Sequence, residues 1–200
     1  MDIDLYGPDG QVRAAADQHG NILVAQGASP FDAAVERGNV YHACSQATVI
    51  TQAGLSLTTP ALVVSSLPDS GKVIKIWYAG CGSLVSAGAA AQIWACLGGP
   101  SDTIVVETAA AVVRNAKTGA SGRPSGTWAG IDGNLPGVPV AVALLGSQSS
   151  AAITVGVNGF AVGTWFNGSL WVPPGFNFTI QSSTVTTLFC DYIFEVVDEV

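Results

Sequence analysis

TLFCDYIFEVV, residues 187–197, alternates along its length. Leu188, Cys190, Tyr192, Phe194 and Val196 fall on one side of an extended chain, and Phe189, Asp191, Ile193, Glu195 and Val197 on the other. Alternation with a period of two marks a strand with one buried face. The first side is wholly apolar and is predicted to face a core; the second is mixed. KVIKIWYAGCG (72–82) reads in the same way after the turn Leu67-Pro68-Asp69-Ser70-Gly71. It places Val73, Lys75 and Trp77 on one face and Ile74, Ile76 and Tyr78 on the other, and the second, uniformly apolar face is expected to point inward.

Around these two segments the same signal recurs. Residues 139–145 (PVAVALL), 151–157 (AAITVGV) and 176–181 (FNFTIQ) read as strands, and 40–51 (VYHACSQATVIT) is rich in β-formers. Pro60 divides 55–64 (LSLTTPALVV) into two pieces or assigns it to an edge. In 83–98 the alanines permit a helix, while the glycines and β-rich neighbours favour a strand. Residues 102–115 (DTIVVETAAAVVRN) give a strand pair or one long strand ending near Arg114. A helix of one turn or two is expected over PFDAAVERG (30–38), stopped by Gly38. NAKTGASGRPSGTWAGIDGNLPGV (115–138), dense in Gly, Pro, Ser and Asn, is expected to be a long loop that reaches outward. Eight or so short strands with closely spaced turn signals predict an all-β, antiparallel β-sandwich, here over 39–200. Residues 1–38, with polar turns at 7–10 and 17–21, are predicted to form an extended N-terminal arm with one or two short strands.

Composition narrows the function. Of 200 residues, 48% are hydrophobic and only 10% charged, against roughly a quarter in ordinary domains. A positive mean hydropathy argues against disorder. With 14 acids and 7 bases, the net charge of −7 argues against a nucleic-acid partner, which needs clustered Lys and Arg. The acids concentrate at the two ends, and residues 133–190 contain no charged side chain. The apolar stretches 76–101 and 138–157 are broken by glycines, Pro139 and Ser147–Ser150 and lack basic and aromatic flanks, so no membrane span is expected. Burial against other subunits accounts for the missing charge, because Lys and Glu are depleted from interface cores. Met1-Asp2-Ile3-Asp4 has neither the basic nor the apolar region of a signal peptide, so assembly in a cytoplasm is expected. Cys44, Cys81, Cys96 and Cys190 lack the close pairs of zinc sites and read as buried thiols.

Catalytic constellations are missing from the pattern. No Gly-x-Ser-x-Gly elbow occurs, and the two histidines, His19 and His42, have no supporting motif. The glycine-rich stretches at 80–82 and 119–130 lack the Lys-Ser/Thr of a phosphate loop. Asp102 and Glu107 are a conceivable glycosidase pair, but Glu107 reads better as a salt-bridge or edge residue. No enzyme activity, cofactor or metal site is expected. Trp165, Phe166 and Trp171 flank the tight-turn pair Asn167-Gly168. Exposed, the tryptophans would stack on sugar rings; packing in the sandwich or across a subunit contact is the favoured reading.

Leu170-Trp171-Val172-Pro173-Pro174-Gly175, followed by an apolar strand, a Ser/Thr turn and a last strand ending in acids, resembles the closing hairpin of jelly-roll virion proteins of tailed bacteriophages. Ala61–Val64 leading to Pro68-Asp69-Ser70-Gly71-Lys72 is similar to a strand–turn–strand of those proteins, and Asp17–Val24 to their arm. These motifs cover about a third of the chain. The resemblance implies a jelly roll acting as a capsid decoration (cement) protein in the virion. It implies a homo-oligomer, with a trimer favoured, clasping the major capsid protein through the arm and the 115–138 loop. The interface expected on this reading comprises Leu5, Tyr6, Ile22, Leu23 and Val24 of the arm, Trp128 of the loop, and Trp165, Phe166, Trp171 and Phe176. The alternative is a receptor- or carbohydrate-binding module of a phage tail spike or fibre.

Overall fold

A computed structural model describes residues 3–7, 10–16, 22–23, 29–46, 49–83, 90–101, 109–131, 133–148 and 160–199. The chain divides into two units, Met1–Ala33 and Ala34–Val200. The first carries β1 (Ile3–Gly7), β2 (Gly10–Ala16) and β3 (Ile22–Leu23), antiparallel in the order β1-β2-β3. Helix α1 (Pro30–Glu36) occupies two turns of the expected segment. Ser29 caps it: its Oγ accepts from the Asp32 N–H at 3.1 Å and donates to Asp32 Oδ2 at 2.8 Å. Gly38, at a φ of 78°, ends it, and its N–H donates to the Val35 carbonyl.

The remaining strands are β4 (Val40–Cys44), β5 (Val49–Ile50), β6 (Val63–Ser66), β7 (Lys72–Ser83), β8 (Ala91–Gly98), β9 (Ala109–Ala110), β10 (Val112–Asn115), β11 (Thr127–Ile131), β12 (Val140–Gln148), β13 (Phe160–Val172), β14 (Asn177–Ser182) and β15 (Thr187–Asp198). They build two antiparallel sheets, β10-β4-β15-β7-β13 with β5 attached to β15, and β12-β8-β14-β6-β11-β9. Numbering β4, β6, β7, β8, β12, β13, β14 and β15 from one to eight gives sheets ordered 1-8-3-6 and 5-4-7-2. That is the order of a jelly roll, whose hairpins wrap across both sheets. The β9–β11 segment is an insertion. It leaves the second sheet at β9, crosses at buried Ala111 to join the first as β10, and returns as β11.

Between the sheets, Leu188, Cys190, Tyr192, Phe194 and Val196 of β15 are buried as their alternation predicts. They meet Ile74, Ile76 and Cys81 of β7, Ile93 and Ala95 of β8, and Phe178 and Ile180 of β14. Phe178 packs edge-on against Tyr192, with ring centroids 5.0 Å apart. The Tyr192 hydroxyl ties the layers together. It donates to the Leu62 carbonyl and accepts from the Ile180 N–H, both at 2.9 Å. Val63 pairs with Thr179 in the ladder, so Leu62 and Ile180 are the next opposed positions. The phenol occupies the gap where β6 ends and satisfies both backbone groups. The far side of β14 is covered by 51–62. There Gln181 accepts from the Ser56 N–H and donates to the Ser56 carbonyl, each at 2.7 Å.

Several expectations are corrected. Tyr78 does not point inward. Trp77 is an extra residue against β15, and this bulge reverses the alternation, so Ala79 and Cys81 enter the core and Tyr78 lies on the outer face. The 115–138 stretch is not one loop. It contains β11, hidden in the sequence because its inward residues Thr127 and Ala129 are small, Gly130 reads as turn sequence and the turn 124–126 precedes them. Of 55–64, only Val63 and Val64 belong to a strand. β13 is the longest strand in the described chain, and its Gly163 and Asn167-Gly168 mask it as turn sequence. Residues 151–157 lie outside the described residues.

Candidate interaction surfaces

Jelly-roll closure leaves β12 and β13 as the edges of the two sheets on one flank. Gly146 of β12 packs against Val162 of β13, where a Cβ would come within 2.7 Å of a valine methyl. The two edges differ in chemistry.

β12 and the residues leading into it expose Val138, Val140, Val142 and Leu144, with Val140 at 66% and Leu144 at 61%. A solvated edge strand ordinarily carries charge as a guard against pairing with other chains. None is present here, because 133–190 holds no ionic side chain. Bulges at Val142 and Leu145 break the register with β8; Val142 is exposed there, while Leu145 packs against the core.

β13 exposes aromatic rings instead. Trp165 and Trp171 are each 54% exposed. Between them, residues 166–169 bulge against the single residue Trp77 of β7. Asn167 and Gly168 have φ of 52° and 74°, the tight turn expected of Asn-Gly, formed here inside a strand. The Trp171 Nε1–H donates to the Gly168 carbonyl at 2.9 Å, and Lys75 Nζ sits 4.7 Å from the Trp171 ring centroid. Trp165 lies 5.2 Å from the Tyr78 ring at a tilt of 52°. The Tyr78 ring rests on Gly80 and Gly163, where a Cβ would fall 2.3 Å from its hydroxyl.

Cross-strand register extends this outer face over the whole first sheet. One row runs Arg114, His42, Ile193, Tyr78, Trp165; the next runs Val112, Cys44, Asp191, Gly80, Gly163; a third runs Val40, Glu195, Lys75, Trp171. Burial raises the Asp191 carboxyl above its ordinary range, and His42 partly offsets this. The Tyr78 phenol is also raised, first by burial and then by the neighbouring Asp191 charge. Glu195 is buried and accepts from Arg37 Nη2 at 3.1 Å.

The candidate interface residues separate into distinct environments. Trp165 and Trp171 are exposed. Phe166 and Phe176 pack against the core, Phe166 edge-on to Phe178 at 6.4 Å, and Trp128 packs on Val63 and Leu135. Leu5, Tyr6, Ile22 and Leu23 lie in the N-terminal strands; Val24 lies outside the described residues, as do His19, Asp102 and Glu107. The sequence reading missed the exposed β12 stripe and the Tyr78–Lys75 support of the tryptophans. An available signal was Gly80, two residues after Tyr78 on the same face, which leaves room for its ring on the sheet.

Among the described residues no group of three or more His, Cys, Asp and Glu side chains could hold a metal ion. The four cysteines are free thiols. Burial raises Cys96 to about 12 and Cys190 well above the ordinary thiol range, which keeps both protonated. No helix among the described residues is long and apolar enough to cross a membrane. Comparisons with known protein families, curated proteins and solved structures find no match.

Proposed function

We propose that this chain is a non-enzymatic structural protein of a tailed-phage virion, a decoration (cement) protein that self-associates and attaches to the major capsid protein. The observation that supports self-association is the uncharged aliphatic stripe Val138, Val140, Val142 and Leu144 at a sheet edge where β12 pairs with β8 alone among the described strands. Such a stripe is relieved when copies meet around a symmetry axis. A trimer is the size favoured, by resemblance to phage jelly rolls. The phage and capsid assignment rests on the sequence resemblance at 170–175 and 61–72. Several weak capsid contacts on one oligomer would then add through effective concentration.

Light scattering on the purified chain, alone and with empty capsids, tests this. The wild type is expected to have a multiple of the 20.3 kDa chain mass and to co-sediment with capsids. Val140→Asp with Leu144→Asp is expected to give a folded monomer, since a buried unpaired carboxylate opposes association. Removal of residues 1–36 is expected to leave the oligomer and abolish capsid binding. A monomeric wild type that ignores capsids overturns the proposal.

A further inference from the structure

We infer that the outer face of the β7–β13 pair is a binding platform for a neutral oligosaccharide, stacked on Trp165 and Trp171. This site is separate from the β12 stripe and does not depend on the virion assignment. Both indole rings are half open to solvent, yet each is held. The Gly168 carbonyl and Lys75 position Trp171, and Tyr78 backs Trp165. Rings fixed before a ligand arrives lose little conformational entropy on stacking. Trp165 and Trp171 stand in successive same-face rows of the sheet, about 7 Å apart along the strand, which suits a ligand of at least two linked rings.

Beside them Gly80 and Gly163 carry no side chain, which lets the Tyr78 ring rest on the sheet as a further aromatic surface next to Trp165. The rim is polar and mixed in sign, with Asp191 facing His42 and Lys75 beside Trp171. Balanced charge fits a neutral, hydroxyl-rich ligand better than an anion. Single-stranded nucleic acid also stacks on aromatic rings, but it requires a basic groove, whereas the rows of this face set Asp191 and Glu195 against Arg114 and Lys75. The second sheet offers no equivalent over β14, because 51–62 covers it.

The test uses the intact protein on an array of defined oligosaccharides, followed by calorimetry and acrylamide quenching with cellohexaose and chitohexaose. At least one saccharide is expected to bind and to protect tryptophan fluorescence in the wild type. Trp171→Ala and Trp165→Ala are each expected to weaken binding about tenfold, with molar mass unchanged. Trp171→Phe is expected to restore part of the affinity. Leu144→Asp is expected to bind as the wild type does, which separates failure of this site from failure of the self-association reading. Absence of binding on the array and in calorimetry overturns the inference. So does binding that survives both alanine substitutions, or loss of the oligomer when either tryptophan is replaced, which would make the platform a subunit contact.

Discussion

The β12 and β13 edges lie side by side on one flank of the sandwich, and both expose large apolar side chains, but they solve different problems. On β12 the large exposed groups are branched aliphatics on a bulged strand, with no charge among them. On β13 they are rings, each set by a named partner and within reach of charged groups. Aliphatic surface gains free energy only by leaving water, so it calls for a broad complementary surface. A supported ring can gain from a small ligand that covers one face of it. Exposed hydrophobic area alone therefore does not identify a partner; what holds each side chain in place does.

Substitutions should separate these edges or weaken both at once. The largest effect is expected at the shared core. Tyr192→Phe leaves the Leu62 carbonyl and Ile180 N–H without the bridging hydroxyl. It should cost about 1–3 kcal/mol, read as a loss of roughly 2–4 °C per kcal/mol in thermal melts, with self-association and saccharide binding declining together. Gly168→Ala comes next. It forces a side chain into a φ of +74° beside the Trp77 ring, costing about 1–2 kcal/mol. Because the Gly168 carbonyl orients Trp171, saccharide affinity should fall while molar mass stays constant.

Gly163→Ala is a milder probe of the β13 edge alone. The added methyl must lift Tyr78 from the sheet and disturb its contact with Trp165. Stability should change by less than about 1 kcal/mol, with a measurable loss of affinity in calorimetry. The smallest effect is expected from Asp191→Asn. Burial raises the carboxyl in the folded state above its value in the unfolded chain, so ionisation at neutral pH opposes folding. The wild type should gain stability as pH falls through the raised value, and this gain should level off below the ordinary value of 3.8. Asp191→Asn should therefore melt higher than wild type at neutral pH and equal it in acid, in melts between about pH 3 and 8.

The sandwich was legible because β15 and the first half of β7 alternate without interruption, and nothing in tertiary packing overrides a fully apolar inner face. Two structural devices hid the rest. A one-residue bulge at Trp77 reverses every assignment after it, and local alternation carries no warning of a bulge. Residues 160–172 combine strand with an internal Asn-Gly turn, so a signal that ordinarily ends a strand here sits within one. For the same reason Trp165 and Trp171 could be named as candidates, while their supports could not. Lys75 and Tyr78 reach them only through β-pairing, across more than 80 residues of sequence.

The crossing of the inserted segment at Ala111 has a consequence for growth. β9 and β10 are two and four residues long and finish the two sheets on the flank opposite β12 and β13. Such brief terminal strands are poor templates for further pairing. Among the described residues, this flank therefore offers further copies little edge on which to extend a sheet-paired fibre.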